Sequence, residues 1–293
     1  MFRNLRLYRI EGPWPDDENA LSERLAEAAF EPCGPLTERS SGFVAVNSMA
    51  GDSLARRVNG ADLMRLRTQS RVLPTAAVNE ELETRLEDYR QRTGEEPPTR
   101  EKRRLKAEVR DELMTRALLK SDHLWGYVDV ANGILAIDSA GEPNAERFLR
   151  RLKAAVGELP IRPLAFERPV DEFMKKLFLG GAPRQFALGR ECRMQDAKDV
   201  GSNVRWFGFD LSDKSIRDHV AEGMRLTHLE IEYDHVARFV IDADGVITKL
   251  KFPNTEADDD LDALANFDAE FVLATGTMRN LLGDLGGLLG GMV

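Results

Sequence analysis

The sequence predicts an α+β protein with mixed or antiparallel sheets, flanking helices and a projecting helical hairpin. Three observations carry that expectation. Short segments of period-2 hydrophobicity alternate with segments of helical period along the chain. Asn132-Gly133 and Asp244-Gly245 each sit between two strand-like segments, which signals tight hairpins rather than long crossovers. The break Gly94-Glu95-Glu96-Pro97-Pro98 separates two helical segments that a short connection would pair as a hairpin.

Taken in order, residues 2–10 read as a strand, with Leu5 and Leu7 alternating with Arg6 and Tyr8. A helix is expected over 19–30, with Leu21, Leu25 and Ala28 on one face, and short strands near 42–47 and 62–72. Val78, Leu82, Leu86 and Tyr89 give the first hairpin helix, and Thr99 would cap the second. Strands at 124–130 and 134–139 flank Asn132-Gly133, and a helix follows over 144–156. A strand over 161–166 would return from it. The last third repeats the alternation: strands over 185–189, 204–210 and 224–233, and a helix over 212–222 capped by Ser212. A hairpin over 236–252 and a final helix over 271–282 close it. The expected organisation is a central α+β domain (1–74 and 121–168), a helical hairpin (75–120) and a second α+β domain (169–293).

A chain of 293 residues with 42% hydrophobic side chains can bury two or three cores. Its apolar runs fall well short of the roughly 20 residues of a membrane span, and its first residues lack the apolar stretch of a secretory signal. The expected location is the cytoplasm, with Cys33 and Cys192 as reduced thiols. The histidines His123, His219, His228 and His235 are scattered and share no zinc-ligand spacing with the cysteines. Asp242-Ala243-Asp244-Gly245 begins like a calcium loop, but proline, Pro253, stands near where the closing glutamate belongs. Asp258-Asp259-Asp260 reads as a solvated acidic loop. No nucleophile elbow or phosphate loop is present, so no catalytic residue, metal ligand or cofactor is assigned.

The net charge of −9 argues against a polyanion partner until its distribution is considered. Residues 100–120 carry eight basic and four acidic side chains, and residues 175–205, from Lys175 and Lys176 to Arg205, carry seven and three. Residues 256–293 carry one basic and eight acidic. On the helix after Thr99, Arg103, Lys106 and Arg110 fall within about 60° of one another, with Glu101, Glu108, Asp111 and Glu112 roughly opposite. Such a stripe can meet DNA, or it can dock an acidic protein surface; the preceding helix, with Glu80, Glu81, Glu83, Glu87 and Asp88, is itself one. In the strand at 204–210, alternation places Arg205, Phe207 and Phe209 on one face and Trp206 on the other. That mixture of aromatic and basic groups is one that stacks bases and holds phosphates, and also one that a half-buried strand shows.

Further pieces run from end to end: Asn4-Leu5 with Tyr8-Arg9, Ala29-Phe30-Glu31-Pro32-Cys33-Gly34, Leu73-Pro74, Arg116-Ala117, Val128-Asp129, Leu159-Pro160, Asp210-Leu211, His219-Val220 with Gly223, Leu250-Lys251-Phe252, and Phe267-Asp268-Ala269-Glu270-Phe271 with Thr275-Gly276. In order and spacing the chain resembles the bacterial recombination-associated RdgC family. The resemblance implies a non-enzymatic protein without cofactor that encircles double-stranded DNA as a ring-shaped homodimer, largely without reading sequence. It also implies antagonism of RecA-driven recombination and a nucleoid-associated location. Leu118, after Arg116-Ala117, stands where the family can place an aromatic subunit contact. Arg205 keeps the charge of a basic stretch in which Gly208 departs from the pattern. Met224 replaces a basic residue, with Arg225 next to it. The DNA-contact set expected on charge and resemblance together is Arg103, Lys106, Arg110, Lys175, Lys176, Arg205, Phe209 and Arg225.

Overall fold

A computed structural model describes residues 1–47, 51–181, 183–199, 201–252 and 262–293. The run Asp258-Asp259-Asp260 lies outside the described residues. In chain order the first elements are β1 (Arg6–Ile10), α1 (Glu18–Ala26), β2 (Arg39–Val44), β3 (Ala55–Val58) and β4 (Ala61–Val72). The hairpin helices are α2 (Thr75–Thr93) and α3 (Thr99–Arg116). Then come β5 (Leu118–Asp129), β6 (Ile134–Ile137), α4 (Glu142–Val156), β7 (Ile161–Pro163) and α5 (Val170–Phe178). The chain continues with β8 (Phe186–Asp196), β9 (Asn203–Phe207), α6 (Lys214–Ala221), β10 (Met224–Tyr233), β11 (Ala237–Asp242), β12 (Ile247–Lys251) and α7 (Ala263–Leu289).

The strands form two sheets. One has the order β2-β4-β5-β6-β1-β7 with β3 on β4, and the other the order β12-β11-β10-β8-β9. The described strand registers are antiparallel, so the expected α+β class holds.

The chain divides into two compact units. The first comprises Met1–Glu27, Ala45–Arg65 and Leu124–Val293. Its core is one continuous cluster in which Leu5, Tyr127 and Ala136 pack with Phe173, Leu229, Phe239, Phe271 and Leu281. Helix α7 runs through it, and Phe271 meets Tyr127 edge-on at 5.9 Å between ring centroids. Buried Asp129 anchors the same helix by accepting from Arg279 Nε at 2.8 Å. Burial alone would raise the Asp129 pKa, but hydrogen bonds from Arg279 and Asn132 outweigh it and hold the carboxyl below its usual range.

The second unit comprises Ala28–Val44 and Leu66–His123. It holds β2, the later part of β4, the hairpin helices and the exposed start of β5. Val78 and Leu86, two of the four apolar positions read on α2, are buried, and on α3 Val109 and Met114 are buried. The Arg67 guanidinium lies over the Phe30 ring, 4.5 Å from its centroid.

Several local expectations are corrected. Pro98, not Thr99, is the N-cap of α3, and Asp213, not Ser212, that of α6; the Ser212 hydroxyl donates to Asp210 instead. Helix α7 extends far beyond 271–282, because Asp262 caps it by accepting from Ala265 N. Strands β5 and β8 are also longer than expected. The turns at Asn132-Gly133 and Asp244-Gly245 are not two-residue turns with both residues left-handed; only Gly133 (φ 62°) and Gly245 (φ 78°) are. That geometry belongs instead to Asn59-Gly60 (φ 49° and 75°), the two-residue link between β3 and β4.

Where β2 passes Ala29 and Phe30, the backbones nearly touch. A Cβ on Gly42 would lie 2.4 Å from the Ala29 carbonyl group. Gly42→Ala is expected to lower stability by about 1–3 kcal/mol through overpacking. Gly276 in α7 has nothing within 4 Å of such a Cβ, so Gly276→Ala should raise stability by about 0.5–1 kcal/mol. Denaturant unfolding of the two variants checks both signs.

Candidate nucleic-acid interface

Residues Cys192, Met194, Leu226, Leu229, Ile231, Phe239 and Ile241 turn one face of the five-stranded sheet into the core. Strand alternation then sends Glu191, Arg193 and Gln195 of β8 to the other face. The register sets them opposite Phe207, Arg205 and Asn203 of β9. Arg225 of β10 pairs with Gln195 and so joins the same face.

Glu191 organises this face. Only 2% exposed, it accepts from Arg205 Nη2 at 2.8 Å and from Lys249 Nζ. Burial works to raise its pKa, but Lys249 and Arg205 outweigh burial and hold the carboxyl below its ordinary range. Phe207, 67% exposed, lies beside the two cations, with Arg205 Cζ at 5.6 Å and Lys249 Nζ at 5.8 Å from its ring centroid.

Lys249 reaches Glu191 through local strain. Its φ is 54°, and the β11–β12 register slips between the Arg238–Lys251 and Val240–Thr248 pairs, the mark of a bulge. Three strand spacings separate β12 from β8, roughly 14 Å in a flat sheet. Contact therefore needs two extended side chains and a sheet that curls toward this face. A hollow of about 510 Å³ lies on the face, lined by Arg193, Gln195, Asn203, Val204, Arg205, Thr227 and His228, with no carboxylate among them. The Nε of Arg193 is buried without an acceptor. Burial first, and then the Arg193 charge, push the His228 pKa below its ordinary value.

The expected contact residues fall in separate places. Arg205 and Arg225 share the open face. Lys175 and Lys176 are exposed on α5, whose buried residues pack in the core on the covered side, so they do not join it. The expected common face for Phe209 and Arg205 is corrected. Gly208 (φ 80°) ends β9 and breaks the alternation, and Phe209 packs edge-on against Trp206 at 5.3 Å. Trp206 packs against the core and lies 5.9 Å from His219.

In the second unit Arg103, Lys106 and Arg110 are exposed along α3. Among the described residues none of the three pairs with the acidic side chains of α2. Arg110 pairs with Glu38, while Glu81 and Glu87 are taken by Arg85 and Arg90 of their own helix. Leu118 opens β5 with 79% of its surface exposed. Among the described residues, no group of three or more His, Cys, Asp or Glu side chains could hold a metal, and no helix is long and apolar enough to cross a membrane. Cys33 and Cys192 are free and buried.

Glu191, Arg193 and Lys249 escaped the sequence-based site. The period-2 run Glu191-x-Arg193-x-Gln195 could have placed the first two beside Arg205; the bulge that aims Lys249 leaves no composition signal.

Fold and site together define a class: a two-unit α+β protein that gathers arginine, lysine and an exposed ring on one curled sheet face. The chain belongs to the RdgC family, whose model, described as "Putative exonuclease, RdgC", matches residues 1–292. It is similar to the recombination-associated protein RdgC of Sodalis glossinidius, at 30% identity over 99% of this chain and 97% of that protein. The protein of the same name from Halorhodospira halophila is 32% identical over 99% and 98%, and that from Pseudoalteromonas atlantica 28% identical over 93% and 92%.

Because the Glu191 carboxyl is depressed in the folded state, its contribution to stability is complete above its unfolded value of 4.5 and is lost as pH falls through the folded one. Glu191→Gln should lower the melting temperature at pH 7 and flatten the loss of stability below about pH 4.5. Melting curves from pH 7 to pH 3 provide the comparison.

Proposed function

We propose that this protein binds double-stranded DNA largely without reading sequence. In this reading it encircles DNA as a ring-shaped homodimer, restrains RecA-mediated recombination and acts in the cytoplasm at the nucleoid. It does so as a binding protein rather than an enzyme. The observation that carries the reading is the open sheet face, where Phe207 lies beside Arg205 and Lys249 near the Arg193 hollow. Cations there would neutralise phosphates, which supplies affinity without base readout. The names of the relatives, which associate them with recombination, agree with this. The exposed Arg103, Lys106 and Arg110 would add to the attraction of the polyanion. Leu118 and Leu119, both exposed, would form one of the two subunit contacts that a ring needs.

Fluorescence anisotropy with a random duplex tests the central claim. Binding should weaken steeply with salt, and Arg205→Ala should reduce the log–log salt slope by about 1 with no change in sequence preference. No binding at low salt would remove the DNA reading and leave α3 as a docking face for an acidic protein. Light scattering should give twice 32.9 kDa per particle. End-labelled duplex incubated with Mg²⁺ should stay full length; release of nucleotides would favour the exonuclease named in the family description.

A further inference from the structure

The second unit holds a cavity of about 530 Å³ between β2, the end of β4, α2 and α3. Four cations line it, Arg39, Arg71, Lys106 and Arg110, against a single carboxylate, Glu38. Glu38 is committed to Arg110. The Arg71 guanidinium is held by main-chain carbonyls, donating to Met114 O at 3.0 Å, Ala117 O at 3.3 Å and Gly34 O at 3.0 Å. Those bonds satisfy its donors and fix its place without neutralising its charge. Among the described residues the side chains of Arg39 and Lys106 make no ion pair or hydrogen bond. Three positive charges thus converge on one concave volume uncompensated, an arrangement that focuses a positive potential.

The remaining wall is apolar, with Leu73, Val78 and Met114. The first turn of α2, where Thr75 and Val78 reach the cavity, has no acidic residue and no side-chain cap, so nothing in that turn opposes an anion. The volume falls within the range of about 300–1,000 Å³ typical of small-ligand sites and is several times that of a bare phosphate.

We propose that this cavity binds a phosphate ester of nucleotide size, with Arg39 and Lys106 on the phosphate, Arg71 contributing its charge, and the Leu73–Val78–Met114 wall against the apolar part. Arginine forks suit phosphate oxygens, and a multiply charged anion matches the charge left over. The phosphate could belong to a free nucleotide or to a nucleotide of a DNA strand, and the two sources are separable by experiment.

Calorimetric titration of the full chain with inorganic pyrophosphate and with ADP is the direct test. Saturable binding at one site per chain is expected. Arg39→Ala combined with Lys106→Ala should weaken both probes at least tenfold while leaving the ligand-free melting temperature unchanged, since both side chains are exposed and unpaired. Arg116→Ala, a cation on the same helix outside the cavity, should change neither. A labelled duplex then assigns the source. If pyrophosphate displaces it from the wild type at site-filling concentrations, a DNA phosphate uses the cavity; if pyrophosphate binds without displacing it, the ligand is a free phosphate ester. No binding of either probe up to about 10 mM, or equal affinity in the double variant and the wild type, overturns the proposal. A chain that binds ADP but no DNA would keep this site and lose the DNA reading.

Discussion

A buried carboxylate between two cations fixes the chemistry of the five-stranded sheet. Glu191 is expensive to bury, and only Arg205 and Lys249 make its ionised form tenable. In return it orders two long side chains that would otherwise sample many rotamers. It thereby brings two positive charges to the exposed Phe207 ring. The bulge at Lys249 and the curl of the sheet are the geometric conditions for that triad. Through it, the sheet's shape and its surface charge become a single property.

The second unit meets the same need differently. Arg71, on β4, reaches carbonyls from the Gly34 turn and from the end of α3, and so ties both segments to its own strand. A neutral donor could make some of these bonds but would bring no charge to the cavity. Structural work and electrostatic work rest on the same guanidinium.

How much of this could be read in the sequence depends on whether a feature follows from periodicity. The apolar face of α2 was legible because Val78 and Leu86, about two helical turns apart, are both buried. The division of Arg205 from Trp206 followed from strand alternation, and the charge stripe on α3 from the helical angle. Phe209 was misplaced because alternation was carried through Gly208, where the chain leaves the extended region. Lys249 was invisible for a similar reason, since a bulge is a local departure from the period that sequence reading assumes. The turn Asn59-Gly60 carried a hairpin signal as plain as that of Asn132-Gly133, but lay between segments read as one strand and a loop. The C-terminal end of α7 was missed because Gly283, Gly286 and Gly287 lower helix propensity, whereas burial of Leu285 and Leu289 decides the matter.

The interleaving of the two units along the chain bears on the order in which they acquire structure. Leu5 forms a two-bond bridge with Ile247, and Arg56 makes a salt bridge to Asp268. The first unit therefore closes contacts more than two hundred residues apart. The second draws on nothing beyond His123. During synthesis the hairpin unit has its whole sequence outside the ribosome while Leu5 still waits for β12 and Arg56 for α7. Strand β1 can pair with β6 and β7 before then, but core residues such as Leu5 and Tyr127 stay uncovered through that interval, and closing such long loops is the slow step in folding. This topology makes the nascent first unit, rather than the finished protein, the form most in need of a chaperone.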